Sequence, residues 1–280
     1  MLPPVASRFV AGESAAVALD HARRVNDDGV GVILNLLGEH YHDRVDADED
    51  AAAYRRLLAD IAGSDLRARI SVKPSQLGLA IDREVFAENY RSLVEDAVER
   101  DVFVWCDMED ASTTDATLGV VESVAEAVGG GVGVCLQANL RRTPEDLRRL
   151  AEVPCAVRLV KGAYDEPPAV AHQSKAAVDE AYRENLEFLF REFDGGIAVG
   201  SHDPAMIAHA EGLGQEYGRA FEIQMLMGVR EAAQRELAAR GHDVWQYAPY
   251  GRRWLRYFYR RVRERRQNLE FAVRAILGGA

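Results

Sequence analysis

The sequence predicts an α/β fold, a (β/α)8 barrel of the TIM type. Three observations carry that expectation. Eight short apolar, often β-branched runs recur, their starts 23 to 41 residues apart, roughly the length of one strand–helix unit. The stretches between them show helical period and helix-start chemistry. No linker, low-complexity tract or composition break divides the 280 residues, so the chain reads as one domain, 1–280.

In chain order the strand-like runs are Val32–Leu37, Arg69–Lys73, Val102–Asp107, Val132–Gln137, Ala156–Lys161, Ile197–Ser201, Phe221–Leu226 and Val244–Tyr247. Ser112 or Thr113 can cap the helical stretch that runs to Val128. Thr143-Pro144-Glu145 offers an N-cap, a proline at the first helical position and an early acid. Asp203-Pro204 repeats the device. A doubly wound sheet is the alternative, but dinucleotide binding there would show as G-x-G-x-x-G after the first strand. The only glycine cluster, Gly129-Gly130-Gly131-Val132-Gly133, precedes a strand and reads as a loop ending a helix.

Composition excludes several classes. With 48% hydrophobic residues the chain can bury a full core. It has no apolar run of 18 residues and no basic-then-apolar leader, so neither a membrane span nor a secretory signal is expected. Cys106, Cys135 and Cys155 lie inside apolar runs and read as small buried hydrophobes of a reducing cytoplasm. The net charge of −11 argues against general nucleic-acid binding.

Lysine is nearly absent. The 34 basic residues include only Lys73, Lys161 and Lys175, and the first two end strand-like runs. A compact ammonium is not interchangeable with a guanidinium fork, so lysine kept at such places points to an anion, a cofactor or a carboxylate partner. In a barrel, working residues come from the C-terminal ends of strands. Read in order, those ends give Lys73, Asp107, Gln137, Arg158 with Lys161, Ser201 with His202, Glu222 with Gln224, and Tyr247. This is a ring of polar groups from seven strands.

After Tyr247-Ala248-Pro249-Tyr250-Gly251 comes an aromatic, arginine-dense helical stretch. Glu264 lies four residues after Arg260 and three after Arg261, so one helix face can hold a carboxylate against a guanidinium. The same stretch also reads as a solvated basic helix or one that touches an anionic membrane surface. His40 and His42 could bind a metal beside Glu39 or Asp43, but i and i+2 in a loop is poor metal geometry, and no metal site is expected.

Ala156-Val157-Arg158-Leu159-Val160-Lys161-Gly162-Ala163-Tyr164 resembles a signature of the proline dehydrogenase family. So do Phe221-Glu222-Ile223-Gln224-Met225-Leu226-Met227-Gly228 and Tyr247-Ala248-Pro249-Tyr250-Gly251 followed by Arg260-Arg261-Val262-Arg263-Glu264. Val72-Lys73, Cys106-Asp107-Met108-Glu109, Leu136-Gln137-Ala138-Asn139 and Ser201-His202-Asp203-Pro204 fit the same family in the same order, from about Ile70 to Asn268.

The resemblance implies a distorted (β/α)8 barrel that holds FAD and oxidises L-proline to 1-pyrroline-5-carboxylate, with the last helix over the barrel mouth. Arg260 and Arg261 would clamp the proline carboxylate, Lys73 would complete the anion site, and Glu264 would hold Arg260. Tyr247 would wall the pyrrolidine ring. Asp107 would orient Lys73 or help close the pocket. The family's flavin contacts fall on Gln137, Arg158, Val160, Lys161, Gly162, Ala163, Tyr164, Ser201, His202, Gln224 and Leu226. Arg158 would place positive charge where a hydride deposits negative charge. Lys161 and Lys175 would face phosphate or ribose oxygens, and His202 the adenosine half.

Ser201 departs from the family, which more often has threonine there. With one barrel filling the chain, a monofunctional enzyme without the aldehyde dehydrogenase partner of bifunctional relatives is expected. The resemblance implies a quinone-type electron acceptor. The basic helix suits transient association with the inner face of a membrane by a cytoplasmic protein, and a homo-oligomer is compatible. Two other classes compete. A Schiff-base lyase would use Lys161 as nucleophile. A non-enzyme would use the stretch 252–266 as a docking surface for an acidic partner or a membrane.

Overall fold

The computed structural model describes residues 6–255. Eight parallel strands close into a barrel in sequence order. They are β1 (Gly31–Leu36), β2 (Ala68–Val72), β3 (Val104–Cys106), β4 (Val132–Gln137), β5 (Ala156–Val160), β6 (Ile197–Gly200), β7 (Glu222–Leu226) and β8 (Asp243–Tyr250). Strand β8 returns to β1 in the register Gly31–Trp245 to Leu36–Tyr250, which seals the cylinder. Each expected run became a strand, with ends displaced by at most three residues. The largest shift carries β8 on to Tyr250.

The helices are α1 (Ala15–Asp27), α2 (Arg44–Ala62), α3 (Arg83–Glu99), α4 (Thr114–Val128), α5 (Thr143–Leu150), α6 (Lys175–Glu192), α7 (Pro204–Tyr217) and α8 (Glu231–Ala239). The carboxylates of Asp43, Asp82 and Asp203 cap α2, α3 and α7 by accepting from Val45, Glu84 and Ala205 N–H. Gly129 ends α4 in the left-handed region (φ 76°), as the glycine cluster implied. Thr143 corrects the sequence reading. It is the first helical residue rather than the cap, and its hydroxyl donates to the Gln137 carbonyl (2.5 Å), tying α5 to the end of β4. Thr113 precedes α4, but its hydroxyl donates back to the Asp110 carbonyl rather than capping the helix. The expected C-terminal helix lies outside the described residues.

Two apolar regions result. Val, Leu and Ile on the outer faces of the strands pack against helix residues such as Leu57, Phe86, Tyr90 and Phe190. Inside, Ile33, Trp105, Ala198 and Trp245 form a buried floor. The indoles dictate the glycines opposite them. A Cβ on Gly31 would lie 2.5 Å from the Trp245 ring, and one on Gly133 2.4 Å from the Trp105 ring. Below the indoles, Arg69 stacks 3.7 Å from the Trp245 ring centroid and pairs with Glu222 at 2.7 Å. Glu222 therefore does not belong to the mouth. It is the first residue of β7, at the entry end of the strand, and the expectation of a mouth residue is corrected. Small floor residues and large indoles fill the lower barrel beneath an open space at the C-terminal end.

Candidate active site

That space is a cavity of about 250 Å³. Lys73, Asp107, Arg158 and Tyr247 line it, and so do Gln137, Val160, Lys161, Gly162, Ala163, Tyr164, His202, Gln224 and Leu226. Strand parity explains the set. Residues two apart on a strand face the same side, so each inward position just above the floor reaches the cavity.

The centre is an ion pair between Arg158 and Asp107. Arg158 is 4% exposed and reaches across the barrel from β5. Its other nitrogen donates to Gln224 Oε1 (3.0 Å), and its guanidinium lies 5.1 Å from the Trp105 ring centroid. Burial opposes the Arg158 charge, but Cys135 and Asp107 nearby outweigh it, so its pKa is raised. The Asp107 carboxylate also accepts from Ser71 Oγ (2.7 Å) and, on its second oxygen, from Tyr247 Oη (2.6 Å). Burial, then the charge of Asp107, pushes the Tyr247 phenol well above its ordinary value, so it stays a donor.

Asp107 therefore organises Arg158 and Tyr247, not Lys73, which corrects one alternative of the sequence reading. Lys73, 8% exposed, pairs instead with Glu39 at 3.1 Å. Glu39, His40 and Glu109 bring potential metal-ligand atoms within 4.8 Å of one another. Both carboxylates already have donors there: Lys73 for Glu39, and the Ser75 N–H and hydroxyl for Glu109.

At the other end of the cavity, Lys161 bonds Asp179 and Asp203 (2.8 Å to the latter). Burial lowers its pKa less than these two carboxylates raise it, so the amine is held protonated. A Schiff-base nucleophile must be neutral, and this environment opposes the lyase reading. Gly162 has φ 110°, and a Cβ there would strike Asn139, so only glycine brings backbone to the cavity wall at this point. Gly200 keeps its part of the wall open, since a Cβ would meet Val160 at 2.6 Å. His202 Nε2 accepts from the Leu226 N–H (3.2 Å), which joins the ends of β6 and β7.

Two expected cofactor residues do not line the cavity. Ser201 is buried, with its hydroxyl accepting from the Asp203 N–H. Lys175 is 67% exposed at the side chain and pairs with Asp179, one step behind Lys161. Arg260, Arg261 and Glu264 lie outside the described residues. The sequence reading missed Asn35, Met108, Cys135, Gly200 and Met225. Asn35 had a signal, a lone amide inside an apolar strand run. Met225 and Cys135 had none, because apolar wall residues look like core.

A mostly apolar cleft with small-residue backbone on one wall and a buried guanidinium across it suits a flat, anionic cofactor such as FAD. Ten of the twelve residues expected to hold it share this one cavity.

Known proteins give an independent comparison. A sequence profile described as proline dehydrogenase matches residues 18–274. Proline dehydrogenase 1 of Bacillus subtilis (strain 168) is 34% identical over 277 residues, covering 97% of this chain and 90% of the relative. Proline dehydrogenase of Deinococcus radiodurans is 35% identical over 285 residues, covering 98% and 91%. Among solved structures, proline utilization A of Bdellovibrio bacteriovorus inactivated by N-propargylglycine superposes with a TM-score of 0.85. It is 23% identical over 92% of this chain and 32% of its own, a likeness of fold. By profile and by close relatives of matching length, this chain belongs to the proline dehydrogenase family, oxidoreductases of proline catabolism.

Proposed function

We propose that the chain oxidises L-proline to 1-pyrroline-5-carboxylate with FAD and passes the electrons to a quinone-type acceptor. The observation that carries this reading is the single cavity that joins Lys73, Asp107, Arg158 and Tyr247 to ten of the expected cofactor residues. The whole chain, 1–280, acts as one FAD-binding unit. FAD, when bound, supplies the two-electron acceptor. Gln137, Arg158, Gly162, Ala163, His202 and Gln224 hold it. Lys161 and, from further out, Lys175 would meet its phosphate side by turning from Asp179 and Asp203, the carboxylates they now neutralise. Lys73 completes an anion site for the proline carboxylate with Arg260 and Arg261, while Tyr247 packs against the ring. No described helix is long and apolar enough to cross a membrane. The quinone is met at the inner membrane face through the basic stretch 252–266.

The substrate amine must be neutral for its lone pair to assist hydride departure. A secondary amine titrates near lysine, about 10.4. The carboxylates that could take its proton are committed: Asp107 to three donors and Glu39 to Lys73. The nearby cations favour the neutral amine. Flavin reduction is therefore expected to quicken with pH through the neutral range and level off only in the alkaline range. Anaerobic bleaching of the bound flavin by L-proline across pH measures this. A flat profile, or a flavin that proline fails to bleach, contradicts the proposal.

Lys73→Met tests the anion site. The methionine keeps the stem and drops the charge, so proline KM should rise about 10- to 100-fold, the worth of a charge-assisted hydrogen bond. Bound flavin should be retained. Unchanged KM would remove Lys73 from the substrate.

A further inference from the structure

Asn35 is the polar residue of the apolar strand β1 and is 1% exposed. It lines the cavity with Lys73, Asp107 and Tyr247. Its two amide atoms have separate fates. The Nδ2 donates to the Ser71 carbonyl (2.9 Å) and lies 3.4 Å from Tyr54 Oη. A peptide carbonyl can only accept, so this bond fixes which end of the amide is nitrogen. Tyr54 Oη is itself anchored, donating to the same carbonyl and accepting from the Leu36 N–H, each at 2.9 Å. The amide is thus turned with its nitrogen toward β2. Its Oδ1 is the polar atom not used in that anchoring.

The neighbouring acceptors are spoken for. One Asp107 oxygen takes Ser71 and Arg158, and the other takes Tyr247. The charged donors lining this end of the cavity are Lys73 and Arg158, each paired with a carboxylate. A cyclic secondary amino acid brings a carboxylate, which the cations suit, and a ring N–H, which they do not. Building on the proline-oxidation reading, we propose that Asn35 Oδ1 accepts the hydrogen bond of the substrate's ring N–H and is a catalytic residue of the oxidation.

The chemistry gives that bond its value. The C–H bond on the ring carbon beside nitrogen breaks, and its hydrogen leaves with both electrons as hydride to a flavin. The nitrogen lone pair becomes the second bond of C=N. The N–H remains and the nitrogen gains a full positive charge. An acceptor already aimed at that N–H is held more strongly as the charge develops, so it favours the transition state over the bound substrate.

The test compares proline with its ring-oxygen analogue, tetrahydrofuran-2-carboxylate, which keeps ring and carboxylate and lacks the N–H. In Asn35→Leu, which removes Oδ1 at similar volume, flavin reduction by proline should slow roughly 10- to 100-fold. The analogue, titrated by its effect on the flavin spectrum, should bind within about twofold of wild type, since it never used the acceptor. The Ser71 carbonyl keeps its bond from Tyr54, so the fold loses no essential donor. Asn35→Asp is the second variant. Its carboxylate would hold the amine protonated and move the pH profile of reduction toward alkali by about one unit. Wild-type reduction rates in Asn35→Leu, equal loss of proline and analogue affinity, or an unshifted profile in Asn35→Asp would each overturn the assignment. A wild-type flavin that proline does not bleach would instead overturn the underlying reading.

Discussion

Asp107→Ala is expected to destabilise the protein by about 3–5 kcal/mol, the cost of leaving one partner of a buried ion pair alone. Arg158 would keep Gln224 and lose its only carboxylate among the described residues. Tyr247 and Ser71 would lose their acceptor at the same time. For a chain of this length each kcal/mol moves Tm by roughly 2–4 °C, so a fall on the order of 10 °C follows. Asp107→Asn, which keeps an acceptor oxygen, should cost roughly half as much. Urea and thermal unfolding of the three proteins measure it. An alanine variant within about 1 kcal/mol of wild type would mean that Arg158 finds another counter-charge.

Arg158→Ala is expected to slow flavin reduction by proline about 100- to 1,000-fold, the loss seen when a preorganised donor to developing charge is removed. The guanidinium is desolvated, so its field is strong at short range. It is held from three sides, by Asp107, Gln224 and the Trp105 ring, and needs no rearrangement during the reaction. Proline affinity should change little, because on the proposed reading the carboxylate is held by Lys73 with Arg260 and Arg261. Arg158→Lys should recover little, since one ammonium cannot span both Asp107 and Gln224. Stopped-flow reduction against proline concentration separates rate from affinity. A reduction rate within threefold of wild type would remove Arg158 from the chemistry.

The barrel was legible because strands buried on both faces leave continuous apolar runs, and eight of them at unit spacing admit few other folds. The mouth was legible where a long polar side chain ends such a run, as Lys73, Asp107 and Lys161 do. The same rule misplaced Glu222. One residue out of β7 looks much like another, and only the register against Asp243 reveals that Glu222 lies at the floor. Asp107 was found but its partner was not. The Arg158 guanidinium comes from across the barrel, and strand-end reading orders residues along the chain without saying which meet. Thr143 failed for a local reason: a threonine that resembles a cap, whose oxygen would accept from the helix, sits inside the helix and donates its hydroxyl to the Gln137 carbonyl. Asn35 was passed over because it stands one position short of its strand's end.

The two indoles, with Arg69 and Glu222 beneath them, make the barrel a blind shaft. Among the described residues, the floor closes the barrel below the cavity. On the proposed reading, proline, its oxidised product and an electron acceptor would all use the mouth above that floor. A visitor that lingers would block the next, so turnover would alternate between two half-reactions instead of gathering all reactants at once.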